Sequence, residues 1–501
     1  MFRRPEASFN RLRQKLPVLL VVFIVGSIGV YLLAGSHAQS PYASSEVEVG
    51  NLAGGACSQT NANASGGSYI KFGCSSTNPL APPAALPQRL GVGVAAAPND
   101  IGGWVAQTGV PFDYVYQYLS GGAGTGWQTW NANAEFPLFY AQSAAAAHRV
   151  PVFSYYNLLQ SVSTCSASCG EAQKDLTNLN STSTMSAYLS DFTTLMKRLG
   201  PGTYNGIVGF GGTAVVHVEP DLSAYAEQAT INGANCFGFC TGANNNPDNL
   251  KVAVASTGDT DVAGFANTWH GFNLALAHIR NLYAPNVLLG YHVSNWAGGA
   301  DIGSSSDPNL DVTGLANTVA SFTSASGVSS YDLIFNDVLD RDAGYYQTVY
   351  GNPNVWWDRF NVNLPNFHRW ESYLATILLT DNKPAVVWQI PVGNEYFDTE
   401  NDSNGHYQDN RVEYFFAHPT ELTNIGVVGL LFGGGAGGVT TFTDAQNDGI
   451  TNPAPVCTSL GSSSGPICPT HTSTVSDDDG GYLRMVSATY YQNPIPLGSA
   501  K

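Results

Sequence analysis

Charge is what this chain has least of. Only 11% of its 501 residues are Asp, Glu, Lys or Arg, and the basic share is the thinner one: 20 Lys and Arg against 37 Asp and Glu, a formal net charge of −17. So few cations cannot neutralise a phosphate backbone, which argues against nucleic acid as a partner. They argue equally against broad contact between the globular part and anionic lipid. Methionine is scarce too, at 4 residues, which suits a rigid rather than a plastic binding surface.

Several motifs are missing. No G-x-G-x-x-G follows the first predicted strand and no G-x-x-x-x-G-K-[ST] occurs anywhere. That argues against a dinucleotide or nucleoside-triphosphate fold. The Gly-rich run Gly433–Gly438 has no Lys beside it and reads as a flexible loop. H-E-x-x-H is absent and His217, His292 and His406 are scattered, so no metal-ligand set is expected. The G-x-S-x-G at 461–465, GSSSG, has neither the strand before it nor the helix after it that a nucleophile elbow needs. The full EF-hand pattern is lacking. Asp477–Asp479 offers oxygen ligands of the kind Ca²⁺ takes, with a solvated loop as the alternative. No other cofactor is expected.

What is present is 44% hydrophobic residues and a wealth of Gly, Tyr, Phe and Trp. The eight cysteines fall into local pairs, Cys57/Cys74, Cys165/Cys169, Cys236/Cys240 and Cys457/Cys468. Close, even pairing predicts disulfides in an oxidising compartment. Zinc is the weaker rival at the two C-x-x-x-C pairs, since neither has a nearby His.

Residues 1–15 are basic and residues 16–34, LPVLLVVFIVGSIGVYLLA, are apolar, uncharged and long enough to cross a bilayer. The basic flank predicts a cytoplasmic N-terminus. Ser36-His37-Ala38 also suits a signal peptidase, so residues 1–38 read either as an uncleaved anchor or as a cleaved signal. Both put the remainder outside the cytoplasm, at the cell surface or secreted. Residues 39–88 form a Ser/Gly/Pro-rich linker that ends in the stiff PLAPPAALPQ. Residues 89–501 are the predicted catalytic domain.

From residue 89 the pattern is strand, loop, helix, repeated. Strands are predicted over Arg89–Ala95, Phe112–Leu119, Val150–Asn157, Ala214–Asp221, Val287–Trp296, Tyr331–Leu339, Pro384–Pro391 and Val427–Phe432. Helices are predicted before most of the later strands, and Gly481–Tyr491 closes the chain. Such alternation means βαβ units and a parallel sheet. Eight strands over this length predict an α/β fold, a (β/α)₈ TIM barrel. A monomer is expected.

Active sites of such barrels lie at the carboxyl ends of the strands. Those ends would bring together Tyr116 and Gln117, Tyr156 and Asn157, His217, Glu219 and Asp221, His292, Asn295 and Trp296, Asn336 and Asp337, Trp388 and Gln389, then Glu395 and His406 from the loop beyond. Strict alternation from His217 in AVVHVEPD puts His217, Glu219 and Asp221 on one face. Aromatic rings, amides and a few carboxylates suit a sugar chain, with C–H faces packing on rings and hydroxyls pairing with amides and acids.

On these residues residues 89–495 resemble the secreted (β/α)₈-barrel glycoside hydrolases. In the largest clan of such enzymes strand four ends in an acid/base Glu, which Glu219 in VVHVEPD matches. Strand seven ends there in a nucleophile Glu, and here VVWQIP puts Gln389 in that place. The resemblance therefore implies Glu219 as acid/base, Asp337 or Glu395 as the second carboxylate, and Asp221 as a group that orients or tunes Glu219. The expected function is hydrolysis of O-glycosidic bonds in an extracytoplasmic polysaccharide. A non-catalytic surface glycan-binding barrel is the alternative.

Overall fold

The computed structural model describes residues 57–60, 68–71, 80–161, 165, 168–393, 409–433 and 481–498. The chain divides into two compact units, 1–74 and 75–501. In the first, Cys57–Thr60 pairs antiparallel with Ser68–Lys71, a ribbon that the Ser/Gly/Asn composition does not announce. Among the described residues no helix is long and apolar enough to cross a membrane. The apolar run 16–34 lies outside them.

The second unit is a closed barrel of eight parallel strands in chain order. They are β1 (Gly91–Ala95), β2 (Tyr114–Ser120), β3 (Val150–Tyr156), β4 (Ala214–Val218), β5 (Val287–Val293), β6 (Leu333–Asp337), β7 (Ala385–Ile390) and β8 (Val427–Phe432). Each falls within its predicted range or overshoots it by one residue. Closure runs β8 to β1 through Val92 opposite Leu430, and β5 to β6 through Phe335 opposite His292. The near-continuous Val, Ile and Leu of β4, β7 and β8 reflect burial on both faces, as a barrel wall requires.

Around the wall lie α1 (Pro98–Gly102), α2 (Trp104–Gln107), α3 (Phe136–Ala146), α4 (Glu171–Asn180), α5 (Thr182–Leu199), α6 (Leu222–Ile231), α7 (Trp269–Tyr283), α8 (Val312–Ala325), α9 (Ala343–Val349), α10 (Phe367–Asp381), α11 (Arg411–Ala417), α12 (Pro419–Ile425) and α13 (Gly481–Tyr490). Their starts are legible as caps. Ser181, Thr268, Asp311 and Asn366 each accept a backbone N–H from the first turn of the helix that follows, satisfying a donor the helix cannot. The last helix locks the first strands. Tyr490 donates to the carbonyl of Leu90 at 2.7 Å, and Tyr491 to Asp113 at 2.7 Å. Arg89 pairs with the same carboxylate at 2.6 Å.

Two layers of core follow from the period-two alternation of the strands. Tyr114, Tyr116, Val152, Val215, Phe335, Val386, Trp388 and Leu431 fill the barrel, with Leu86 and Leu497 packed among them. Val115, Leu119, Phe153, Tyr155, Val216, Tyr291 and Val387 belong to the outer layer, with the helices. Glycine makes room at one point that matters below. A Cβ on Gly290 would stand 2.3 Å from the ring of Phe335.

Candidate active site

β4 stops at Val218, three residues before its predicted end, because the backbone turns left-handed. Glu219 has φ +40° and Asp221 φ +67°, on either side of Pro220. Alternation therefore fails at the residue where the site was expected to begin. Glu219 does not share a face with His217 and Asp221. It lies 3% exposed in the layer between the barrel wall and the helices. Oε1 accepts the backbone N–H of Asn157 at 3.1 Å and of Leu158 at 3.2 Å. A small cavity there is lined by Glu219 and His292 with Trp269, Phe272 and Asn273 of α7 and with Tyr291 and Tyr331. Burial pushes its carboxyl up to about 8, against the pull of those two N–H groups and the nearby Tyr188 hydroxyl.

Asp221 does return to the barrel mouth. Its Oδ1 accepts the Ser294 hydroxyl at 3.0 Å and lies 3.8 Å from Nε2 of His292. Asp337, at the end of β6, puts its own Oδ1 3.4 Å from that nitrogen, and this buried oxygen has no hydrogen-bond partner. The sum of the two contacts, about 7 Å, is the upper bound on the separation of the two Oδ1 atoms. Burial pushes the Asp221 carboxyl up to about 6; His292 opposes the rise and the Asp337 charge adds to it.

Behind His292 runs a chain of polar groups into the barrel. Nδ1 of His292 meets Nε2 of His217 at 2.9 Å, and Nδ1 of His217 faces the Ser154 hydroxyl at 3.5 Å. Nε2 of His292 meets the Ser294 oxygen at 3.0 Å. Since the Ser294 proton goes to Asp221, one assignment satisfies the set: His217 donates from Nε2, and His292 accepts at Nδ1 and donates from Nε2. His217 is fully buried, its ring stacked on Phe335 with centroids 4.2 Å apart and edge-on to Trp388 at 4.7 Å. Burial, then His292, holds its basicity well below the usual imidazole value, so it is neutral. The space left by Gly290 is what admits Phe335 to this stack.

The remaining expected residues divide. Trp388 is in the barrel beside both imidazoles and Tyr118, its ring centroid 5.9 Å from that of His292. Tyr116 is inside but deeper, donating to the carbonyl of Gly433 at 2.9 Å. Tyr156 donates to Glu171 at 2.9 Å. Asn336 and Asn295 brace the strand ends rather than offering free amides. Asn336 donates to the carbonyl of Val293 and accepts from Trp370, and Asn295 donates to the carbonyl of Asp337. Trp296 packs on Tyr225. Gln389 is buried, with φ +56°, where the pairing of β7 with β8 slips register.

Gln117 and Asn157 are corrections. With Tyr114 and Tyr116 in the barrel, parity puts Gln117 on the opposite face, with Val115 and Leu119. Asn157 is fully buried and faces Asp191 at 3.4 Å, alongside Tyr155 and Trp127, which donate to the same carboxylate. Glu395, His406 and Asp477–Asp479 lie outside the described residues. So do Cys74, Cys457 and Cys468, and with them both pairings, since the Cys57 side chain is also undescribed. Disulfides join Cys165 to Cys169 and Cys236 to Cys240. Ser154 and Phe335 were not anticipated, and neither carried a signal that could have found it.

Fold and mouth together define a (β/α)₈ barrel with two carboxylates converging on one imidazole. No protein-family model matches the chain, and no curated protein matches it. Solved barrels resemble it. An endo-β-1,4-mannanase of glycoside hydrolase family 26 from Cellulomonas fimi superposes with TM-score 0.40 at 11% identity, over 83% of this chain and 76% of that one. A Bacteroidetes-affiliated family 5 cellulase gives 0.42 at 10%, over 81% and 92%. A xylanase and α-amylase inhibitor protein from Scadoxus multiflorus gives 0.32 at 11%, over 68% and 92%. At such values these likenesses assign this chain no activity.

Proposed function

We propose that the barrel is a glycoside hydrolase acting on a polysaccharide, with Asp221 as general acid and Asp337 as the second carboxylate. The observation that carries this reading is the approach of both acids to the same His292 nitrogen at the carboxyl end of the barrel. Glycoside hydrolysis needs one carboxyl that holds a proton and one that is ionised. Asp221, pushed up to about 6, is suited to the first role. It would protonate the glycosidic oxygen as the C–O bond breaks. Asp337, whose side chain is 20% exposed at the end of β6, would attack the sugar carbon or take a proton from the attacking water. The N–H of His292 spaces the two acids, and the neutral His217 behind it fixes which imidazole nitrogen carries that proton. Tyr118 and Tyr156, both partly exposed, supply ring faces for a pyranose.

The two disulfides and the basic-then-apolar N-terminus support a site outside the cytoplasm, with residues 16–34 as anchor or cleaved leader and the chain acting as a monomer. The glycan-binding alternative draws on Trp388 and Gln389, which leave the end of β7 without a carboxylate. Release of reducing ends from a mixed polysaccharide panel decides between them. Hydrolysis by the wild type that is lost in Asp337→Asn supports the enzyme. Retention of glycan by a wild type that cleaves nothing supports the binding module.

A further inference from the structure

The outer ring holds a second group of donors, remote in sequence from the barrel mouth. His368 and Glu371 stand one turn apart near the start of α10, and Glu421 lies in the first turn of α12. One ligand atom from each of the three falls within 4.8 Å of the others. Nε2 of His368 is already 3.5 Å from Oε2 of Glu421. From these residues we propose a divalent transition-metal site, with Zn²⁺ the cation its donors suit.

Glu371 points to a ligand rather than to a solvated acidic surface. It is only 8% exposed, and its buried Oε1 has no hydrogen-bond partner. A buried carboxyl oxygen without a donor is costly, and a cation held by the Glu371 carboxyl, the imidazole and the second carboxylate would relieve that cost. The other two residues reach the surface, which leaves an entry path.

The donor set selects the metal. Ca²⁺ takes six to eight oxygen ligands, and three residues that include an imidazole fall short of that. Zn²⁺ accepts one nitrogen and two carboxylate oxygens and completes a tetrahedron with water. Neighbours steady the ligands. Tyr414 donates to Oε2 of Glu421 at 3.0 Å, and Asn361 donates to the Tyr414 hydroxyl at 2.9 Å while accepting the backbone N–H of His368 at 3.0 Å. The bound ion would pin the helix before β7 to the helix before β8.

The test is calorimetric titration of the chelator-treated full chain with ZnCl₂, with thermal melts in parallel. One zinc per chain and a raised midpoint are expected, with at least tenfold weaker binding in Glu371→Gln and in His368→Asn, and no displacement by excess CaCl₂. His368 has an exposed side chain, so its variant folds whatever the fate of the buried one. Absence of binding overturns the proposal. So does zinc binding that is unchanged in both variants, which would put the ion on other histidines, and so does displacement by calcium, which would make the site one of oxygen ligands alone.

Discussion

Replacing Asp221 by Asn separates chemistry from folding at the barrel mouth. The amide oxygen can still accept the Ser294 hydroxyl that Asp221 accepts at 3.0 Å, so the local structure is kept. What is lost is the transferable proton. General acid catalysis contributes on the order of 10²–10⁴ in rate, or about 2.7–5.5 kcal/mol of barrier at roughly 1.4 kcal/mol per decade. Turnover should fall by that factor, measured as reducing ends released per folded enzyme. The pH profile carries the sign. On the proposed role protonated Asp221 is the working form, and burial pushes its carboxyl up to about 6, so kcat/KM of the wild type should decline as pH rises through 6. The variant should lack that limb. Glu219→Gln is the counterpart. With the Glu219 carboxyl pushed up to about 8, Gln near neutrality replaces a neutral acid, its carbonyl keeps a partner for the N–H groups of Asn157 and Leu158, and stability should change by no more than about 1 kcal/mol with turnover per folded molecule unchanged. The reasoning is refuted if Asp221→Asn turns over at the wild-type rate, or if folded Glu219→Gln loses a hundredfold.

Phe335, fully buried and stacked on His217, should cost about 3–5 kcal/mol as Phe335→Ala in urea unfolding, with turnover falling as the imidazole chain loosens. Glu227 is 1% exposed, Oε1 has no partner, and burial alone pushes its carboxyl up to about 8. The folded state then holds a proton that the unfolded state releases near 4.5, so this group's stability is intact below 4.5 and lost as pH rises through 8. Glu227→Gln should therefore melt like the wild type at pH 4.5 and higher than it at pH 8.5, by a difference on the order of a few kcal/mol. Cys236→Ser with Cys240→Ser opens a loop so short that chain entropy accounts for only about 2 kcal/mol, read as a modest drop in melting temperature under non-reducing conditions.

The barrel was legible because its signals are redundant. Eight strand-like runs, most of them followed by turn residues and a helix-length segment, admit few other folds. Single helices were harder. α6 follows β4 after a turn of three residues, and LSAYAEQATI offers no side-chain cap and little amphipathic contrast, since most of it is buried. The mouth was legible only where parity was respected. His217, His292, Asp337 and Trp388 all continue the inward face of their strands. Gln117 and Asn157 were assigned to the rim from position alone, and counting back to Tyr116 and Tyr155 would have turned both outward. The His368, Glu371 and Glu421 group was illegible because Glu421 lies far along the chain from the other two and meets them only through helix packing.

The segment Glu219-Pro220-Asp221 shows why the site itself misled. Pro220 announced the end of the strand but not the handedness of its neighbours. A non-Gly residue held left-handed costs of order 1–3 kcal/mol, and here two flank one proline. What offsets that cost is visible. Beyond β3 the N–H groups of Asn157 and Leu158 have no strand to pair with, and the Glu219 carboxyl accepts both. With that carboxyl pushed up to about 8 the acceptor is neutral near neutrality, and such bonds contribute about 0.5–1.5 kcal/mol each. Glu219 thus leaves the barrel to hold the loop after β3, and the second left-handed residue swings the chain back so that Asp221 meets Ser294 and His292. A strict alternation gave both acids one face. The backbone divides them, one acid fixing the loop that follows Tyr156 and the other facing the space between Asp337 and His292.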